Sequence, residues 1–219
     1  MKPYSYVFKL PSQIMTSQAT TGNFAFSVLS SAGVLPLTNA KTATYSGSCG
    51  LPQFFDVAIA TTFKLNDIAN FNAFTSMYDA YKITRVTCNI EYLNNVSAVN
   101  STGLMPSLFW YWDQDDATIP PTTLSIQGKQ GVHRRRFTDT GVTTSARPHI
   151  SINAAAPSAA PSAIVAKTQY IDCTSPDIDH YALKMMITDL YLPGTTAVLA
   201  AFRFNWTYEV SFRAPLLTA

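Results

Sequence analysis

The segment FRFNWTYEVSFR, residues 202–213, decides the fold class of this chain because its apolar residues recur at every second position. The even-numbered positions carry Phe, Phe, Trp, Tyr, Val and Phe, and the odd-numbered positions carry Arg, Asn, Thr, Glu, Ser and Arg. Successive side chains of a β-strand point to opposite faces of a sheet, so this alternation predicts a long strand with one buried face. Trp206 lies in the middle of the apolar set, and we therefore expect it in the core.

The same alternation, or enrichment in β-branched and aromatic residues, predicts further strands along the 219 residues. The clearest are YALKMMI at 181–187, YKITRVTCNIEYL at 81–93, FFDVAIATTFKL at 54–65 and SLFWYW at 107–112, and weaker signals occupy 4–10, 24–30 and 147–153. Within 81–93 the apolar phase changes between Ile83 and Val86, which predicts a β-bulge near Thr84 and Arg85.

Helical patterning is scarce. The best helix candidate is 66–81, where apolar residues recur at helical spacing after Asn66, a residue type that favours the N-cap. A single helical turn is predicted after the proline pair of 120–128, and the Ala/Pro/Ser-rich segment 154–163 is predicted to be an exposed loop. With about eight strands and no linker between separate cores, we expect one domain over 1–219, an antiparallel sandwich or jelly roll.

The chain is poor in charge. Charged residues make up 13% of it, against about 25% in average globular proteins. The net charge of +2 is too small to indicate nucleic acid by itself. Three scattered cysteines without Cys-x-x-Cys spacing argue against a disulfide framework or a zinc site and fit a reducing compartment. No segment predicts a signal peptide or a transmembrane span, so we expect no membrane insertion.

The sequence contains no catalytic pattern. His133, His149 and His180 are isolated, without the His-x-His or His-x-x-x-His spacing of a metal-dependent enzyme on a jelly roll. A nucleophile elbow, a P-loop and a dinucleotide fingerprint are also missing. We therefore expect the protein not to be an enzyme and to bind no cofactor or metal.

The order of the segments resembles that of capsid proteins from circular Rep-encoding single-stranded DNA viruses, the circovirus-like group. In that group the strand after the helix opens with Tyr-x-Ile, as YKITRVTCNIEY does from Tyr81 to Tyr92. The aromatic strand followed by an acidic loop, here Phe109 to Thr118, is a second similarity. The final Tyr-x-Val-x-Phe strand at 208–212 is a third, and the resemblance covers residues 50–213.

The resemblance implies a single eight-stranded antiparallel jelly roll of two packed sheets, with one or two short helices in long loops. It further implies self-assembly into an icosahedral shell of on the order of 60 copies around a single-stranded DNA genome. The expected location is the virion, with assembly in the host nucleus or cytoplasm. The expected partners are other copies of the chain, single-stranded nucleic acid on the inner surface, and a host receptor that the sequence does not identify.

One departure from the group concerns the first residues. Such capsid proteins usually begin with an arginine-rich arm that holds DNA, whereas this chain begins MKPYSYVFKLP and a strand is predicted at once. Either the arm was lost or removed, or the protein packages its genome by another route.

The alternative function is a lectin-like carbohydrate-binding jelly-roll module whose aromatic residues stack on sugars. A shell of tens of subunits would support the capsid hypothesis, and a monomer or dimer would support the lectin.

The densest positive segment is QGKQGVHRRRFTDTG, residues 127–141. Its exposed cations have three open interpretations: contact with nucleic acid from the shell interior, pairing with another subunit, or a solvated face. The predicted nucleic-acid-binding residues are Arg134, Arg136, Lys129 and His133.

Strand alternation separates the three adjacent arginines of this segment. Arg134 and Arg136 share one face, whereas Arg135 shares the other face with His133 and Phe137. Because Phe137 marks the core side, Arg135 is expected to be buried with an acidic partner, and Arg134 and Arg136 are expected to be exposed.

The strand at 107–112 and the loop after it offer two further candidate sites. The loop holds Asp113, Asp115 and Asp116, for which a solvated loop is the favoured interpretation and an interface calcium or a salt bridge is the alternative. For the aromatic run 110–112, packing in the core or at an interface is favoured over stacking on bases.

Overall fold

The computed structural model describes residues 3–20, 23–29, 41–46, 54–93, 105–114, 116–138, 140–154, 162–166, 169–191 and 201–215. In chain order its strands are β1 (Tyr4–Lys9), β2 (Gln13–Thr20), β3 (Asn23–Leu29), β4 (Lys41–Ser46), β5 (Phe54–Phe63), β6 (Tyr78–Tyr92), β7 (Ser107–Trp112), β8 (His133–Arg136), β9 (Val142–Ala146), β10 (His149–Ala154), β11 (Ser162–Ala166), β12 (Ile171–Asp172), β13 (His180–Tyr191) and β14 (Ala201–Pro215). The helices are a 3-10 helix at Leu65–Asp67, α1 at Phe71–Thr75 and α2 at Thr123–Gln127. None of the helices in these ranges is long and apolar enough to cross a membrane.

The strands form two antiparallel sheets. The first sheet is built on β14, which pairs along one edge with β6 and along the other with β1 and β2. Strand β3 extends this sheet beyond β2, and β9 and β12 flank β6. The second sheet is built on β13, which pairs with β5 on one edge and with β7 and β10 on the other. Strands β4, β8 and β11 complete it.

The core lies between the two sheets and is built from the apolar faces that the alternation predicts. The even-numbered residues of β14 from Phe202 to Phe212 are each at most 1% exposed. From the other sheet, the ring centroid of Phe63 lies 5.5 Å from that of Trp206 and 5.9 Å from that of Tyr208. Trp206 donates its indole N–H to Oε1 of Gln13 over 3.1 Å, so the buried donor is satisfied. The prediction that Trp206 belongs to the core is confirmed.

The predicted β-bulge is present in β6. Glu209 pairs with Arg85 and the next residue, Val210, pairs with Ile83, so Thr84 is the extra residue on β6. The Thr84 hydroxyl donates to the backbone carbonyl of Glu209 over 3.0 Å. This bulge accounts for the change of apolar phase in the sequence, because one unpaired residue moves the following side chains to the other face.

The strands predicted from the sequence are all present, but the described residues form fourteen strands where about eight were expected. The difference arises largely because several sheet positions are occupied by two short strands end to end. Strands β1 and β2 lie in succession along β14, as β12 and β9 do along β6 and as β10 and β7 do along β13. The all-β fold of two antiparallel sheets with short helices is confirmed.

The prediction of a helix over 66–81 is wrong for most of these residues. Only the 3-10 helix and α1 form, and β6 begins at Tyr78. Asn66 does not cap a helix, since the residue before α1 is Asn70, which has a φ of 62°. The apolar spacing that suggested one helix is satisfied by tertiary packing: the ring centroids of Phe74 and Tyr78 lie 5.4 Å and 5.0 Å from that of Phe212. The helical turn predicted near 120–128 is confirmed as α2.

Two further predictions meet the limits of the described residues. The loop predicted at 154–163 is wrong at its ends, because Ala154 ends β10 and β11 begins at Ser162, and its residues 155–161 lie outside the described ranges. Cys88 and Cys173 are buried free thiols, whereas Cys49 lies outside the described ranges.

Candidate functional site

The basic segment forms the edge strand β8, which pairs with β7 in the part of the chain that the structure describes. In this register His133, Arg134, Arg135 and Arg136 lie opposite Trp110, Phe109, Leu108 and Ser107. All four residues of β8 are exposed. The strand therefore presents three guanidinium groups to solvent on a backbone held by the second sheet.

Arg134 and Arg136 lie on the face of the second sheet that points away from the core. The Arg134 guanidinium carbon is 5.2 Å from the ring centroid of Phe109. Phe109 belongs to a small apolar cluster beneath α2, whose other members are Ala58, Tyr111, Ile126 and Met186. A cation over an aromatic face is attracted by the ring quadrupole, so Arg134 is positioned while its N–H edge stays in solvent.

His133 lies on the opposite face of β8 and stacks on Trp110, with ring centroids 5.3 Å apart and an angle of 24° between the planes. Trp110 is 8% exposed, whereas His133 is exposed. Lys129 lies in the turn between α2 and β8 and is exposed. Of the four predicted site residues, the structure thus brings Arg134 and Arg136 onto one face, places Lys129 before the strand and separates His133 from them.

The expectation that Arg135 is buried with an acidic partner is wrong. Arg135 is exposed, and it makes no ion pair with any other described residue. Arg135 does lie on the core-side face of β8, as the alternation predicts. Phe137, two residues further on, is 2% exposed, and its ring centroid lies 5.4 Å from that of Phe202. At an edge strand, however, the guanidinium reaches water, which avoids the large cost of burying an unpaired charge.

The solvated interpretation of the acidic loop is wrong for Asp113, which is 15% exposed, whereas Asp116 is 51% exposed; both contact the buried Lys184 of β13. Its Nζ lies 2.7 Å from Oδ2 of Asp113 and also contacts Oδ1 of Asp116. Burial alone would lower the pKa of Lys184, but the hydrogen bonds to both carboxylates raise it above its ordinary value. The salt-bridge alternative therefore holds within the chain, and Asp115 lies outside the described residues.

Metal binding finds no support in the side chains that the structure describes. Among them, no group of three or more His, Cys, Asp or Glu residues is arranged to hold a metal ion.

The aromatic run of β7 packs within the protein. Trp110 and Tyr111 are 8% and 7% exposed. The Trp112 indole N–H donates to the Thr144 hydroxyl over 3.0 Å. The packing interpretation is confirmed, and these rings offer little exposed surface for stacking on sugars or bases.

A second cationic group, which sequence reasoning missed, lies on the outer face of the first sheet. The guanidinium carbon of Arg213 is 3.9 Å from the ring centroid of Tyr170, and Nζ of Lys82 is 5.8 Å from it. The alternation of β14 places Arg213 on this face, but the pairing of β12 with β6 that brings Tyr170 there has no signal in the sequence.

Comparisons with known proteins agree with this fold. The circovirus capsid protein family matches residues 12–216 of the chain. The capsid protein of BFDV, a circovirus, in a 60-mer crystal structure has a TM-score of 0.56 at 13% identity, over 96% of this chain and 94% of that chain. A decameric crystal structure of the BFDV capsid protein gives 0.52 and 13%, over 96% and 100%. No curated protein gave a significant match.

The two kinds of similarity carry different weight. At 13% identity the structural likeness shows a shared fold, the viral capsid jelly roll. The family match covers all but the ends of the chain and includes every strand except β1. On that match, the chain belongs to the circovirus capsid protein family and is a structural component of the virion.

Proposed function

We propose that copies of this chain assemble into an icosahedral shell that encloses a single-stranded DNA genome. The observation that carries this proposal is the family match over residues 12–216. The 60-mer reported for the similar BFDV capsid protein supports a shell of about 60 copies, since closed point-group symmetry is the usual form of a homo-oligomer. The chain acts as a single domain without a cofactor or catalytic activity, and assembly takes place in the host nucleus or cytoplasm.

Arg134 and Arg136 are the proposed contacts with the nucleic-acid backbone on the inner surface of the shell. Both are exposed on one face of β8, and neither makes an ion pair with another described residue. Exposed guanidinium groups bind phosphate through paired N–H donors, and such contacts hold the backbone without reading sequence. Because Arg134 already lies over the ring of Phe109, its side chain loses less conformational entropy when it binds a phosphate.

Lys129 and His133 have supporting roles in this proposal. Lys129 adds a positive charge just before the strand. One face of the His133 ring stacks on Trp110, so its exposed face is available to a base.

Two measurements test the proposal. Size-exclusion chromatography and electron microscopy of the purified full-length chain should show closed particles, and a monomer or dimer alone would contradict the shell. The absorbance ratio at 260 and 280 nm should then fall in particles of Arg134→Ala/Arg136→Ala, with yield and melting temperature unchanged.

A matched control keeps the second measurement specific. Arg134→Ala and Arg135→Ala remove the same charge from opposite faces of β8, and both side chains are exposed, so neither should unfold the protein. Arg134→Ala should lower the nucleic-acid content more than Arg135→Ala. Particles lost from the double variant, with unchanged nucleic-acid content in those that remain, would instead assign these arginines to a subunit contact.

A further inference from the structure

The outer face of the first sheet carries a cluster of two cations around one aromatic ring. Arg213, on β14, has its guanidinium carbon 3.9 Å from the ring centroid of Tyr170, and Nζ of Lys82, on β6, lies 5.8 Å from the same centroid. The Tyr170 hydroxyl is 3.0 Å from the hydroxyl of Ser211, a residue that is 4% exposed. The ring is therefore anchored to the sheet, and both cationic groups lie against it.

The charges of this cluster are not neutralised by carboxylates, unlike those of two other cations on the same face. Arg85 pairs with Glu209 over 3.7 Å, and Arg203 pairs with Glu91 over 3.2 Å. Within the described ranges, neither Lys82 nor Arg213 makes an ion pair.

Strand β12 also carries a carboxylate, that of Asp172, which lies opposite Ala80 of β6. Oδ1 of Asp172 accepts hydrogen bonds from the backbone N–H and the hydroxyl of Thr174, over 2.8 Å and 2.7 Å. Among the described residues, no ion pair joins this carboxylate to Lys82 or Arg213.

Two positive charges beside one ring, with no carboxylate of the described residues paired to either, attract an anion. A guanidinium that lies over an aromatic ring still has N–H donors free, in the planar arrangement that binds phosphate. Clustered cations combined with an aromatic ring are also the combination by which proteins bind single-stranded nucleic acid. We propose that Lys82, Tyr170 and Arg213 form a phosphate-binding site for single-stranded nucleic acid, separate from β8.

This inference rests on the proposed binding of single-stranded nucleic acid by the chain, but not on the arginines of β8 or on which face of the sandwich lines the shell. The cluster lies on the outer face of the first sheet, whereas Arg134 lies on the outer face of the second. A nucleic-acid strand reaches both only by passing around the edge of the sandwich. The two contacts are therefore independent, and their losses should add.

The test measures binding of a fluorescent thymidine oligonucleotide to the full-length chain as a function of salt concentration. Lys82→Ala/Arg213→Ala should weaken binding about tenfold at low salt, as expected for two exposed ionic contacts. It should also flatten the slope of log K against log salt by about 1.4, or about 0.7 for each lost phosphate contact. Tyr170→Leu, which keeps apolar bulk but removes the ring, should weaken binding with little change in slope.

The matched control is Arg85→Ala/Arg203→Ala, which removes two positive charges from the same face but from groups already paired with glutamates. It should change both affinity and slope less than Lys82→Ala/Arg213→Ala does. Equal effects from the two pairs would overturn the site, because net charge alone would then explain the binding. Equal competition by polyglutamate would also overturn it, in favour of an acidic protein partner.

Failure of this inference is distinguishable from failure of the proposed function. If the β8 double variant loses affinity and Lys82→Ala/Arg213→Ala does not, the cluster is not a site and packaging through β8 stands. If the unaltered chain binds no oligonucleotide and its particles carry no nucleic acid, the packaging function itself is overturned.

Discussion

Lys184 of β13 is tied to Asp113, with Nζ 2.7 Å from Oδ2 and 4% of the lysine side chain exposed. Asp116 supplies a second carboxylate to the same ammonium group. Lys184 lies opposite Tyr111 in the pairing of β13 with β7. The ion pair therefore holds the start of the loop after β7 against the central strand of the second sheet. Two carboxylates of the acidic loop that suggested a cation site thus share one ammonium group of the same chain.

Removing the ammonium group should destabilise the fold. Lys184→Ala leaves the largely buried Asp113 without its partner, whereas Asp116, 51% exposed, is solvated, so the loss should be about 2–3 kcal/mol, below the range for a fully buried pair. Arg85→Ala breaks an exposed pair and should cost less than about 1 kcal/mol. Urea denaturation of the two variants measures the difference, and equal losses would show that Lys184 is not shielded in solution.

Chelation should have little effect on stability. The ammonium group of Lys184 lies between Asp113 and Asp116, so a divalent cation would compete with it for both carboxylates. We expect EDTA to leave the melting temperature of the protein unchanged at neutral pH. A clear fall in melting temperature, reversed by added calcium, would show that a cation site exists at this loop after all.

Asp67 should make stability depend on pH. Burial raises its pKa from 3.8 to about 6, although the Tyr208 hydroxyl and the Lys64 backbone N–H donate to its Oδ2. Because the folded-state pKa is above the unfolded value, the stability contributed by this group is present below pH 3.8 and lost as the pH rises through 6.

The variant Asp67→Asn isolates this contribution. It should be more stable than the unaltered chain at pH 7 by up to about 3 kcal/mol, and the difference should shrink as the pH falls toward 5. Urea denaturation across this range measures it. A difference that stays constant with pH would mean that Asp67 does not titrate there.

Trp206 should be among the costliest core positions. It is 1% exposed and contacts Phe63 across the two sheets, so Trp206→Ala should destabilise the protein by about 3–5 kcal/mol. Trp206→Phe keeps a ring but leaves Gln13 without this donor, and it should cost less. Soluble, fully stable Trp206→Ala protein would show that this face of β14 is not buried.

Local alternation predicted the long central strands, because a period of two reflects which side chains face a core. It did not predict the shorter strands β2, β4, β9, β11 and β12. The sequence pattern was misleading where side chains are buried by residues far away in the chain. Phe74 and Tyr78 have helical spacing, yet their position is set by Phe212, far along the chain. The contact of Lys184 with Asp113 and that of Arg213 with Tyr170 likewise depend on strand pairings that a single sequence does not reveal.

The candidate site shows the same division. The separation of Arg134 and Arg136 from Arg135 follows from alternation and agrees with the structure. The exposure of Arg135 depends on β8 being an edge strand, which is a property of the sheet and not of the residue.

The most direct measurement is a cryo-electron microscopy reconstruction of particles assembled from the full-length chain. The account predicts a closed shell of about 60 copies with Arg134 and Arg136 on the inner surface, next to density for nucleic acid. A shell with these two arginines on the outer surface would contradict the proposed contact. A preparation that contains only monomers or dimers would contradict the shell itself.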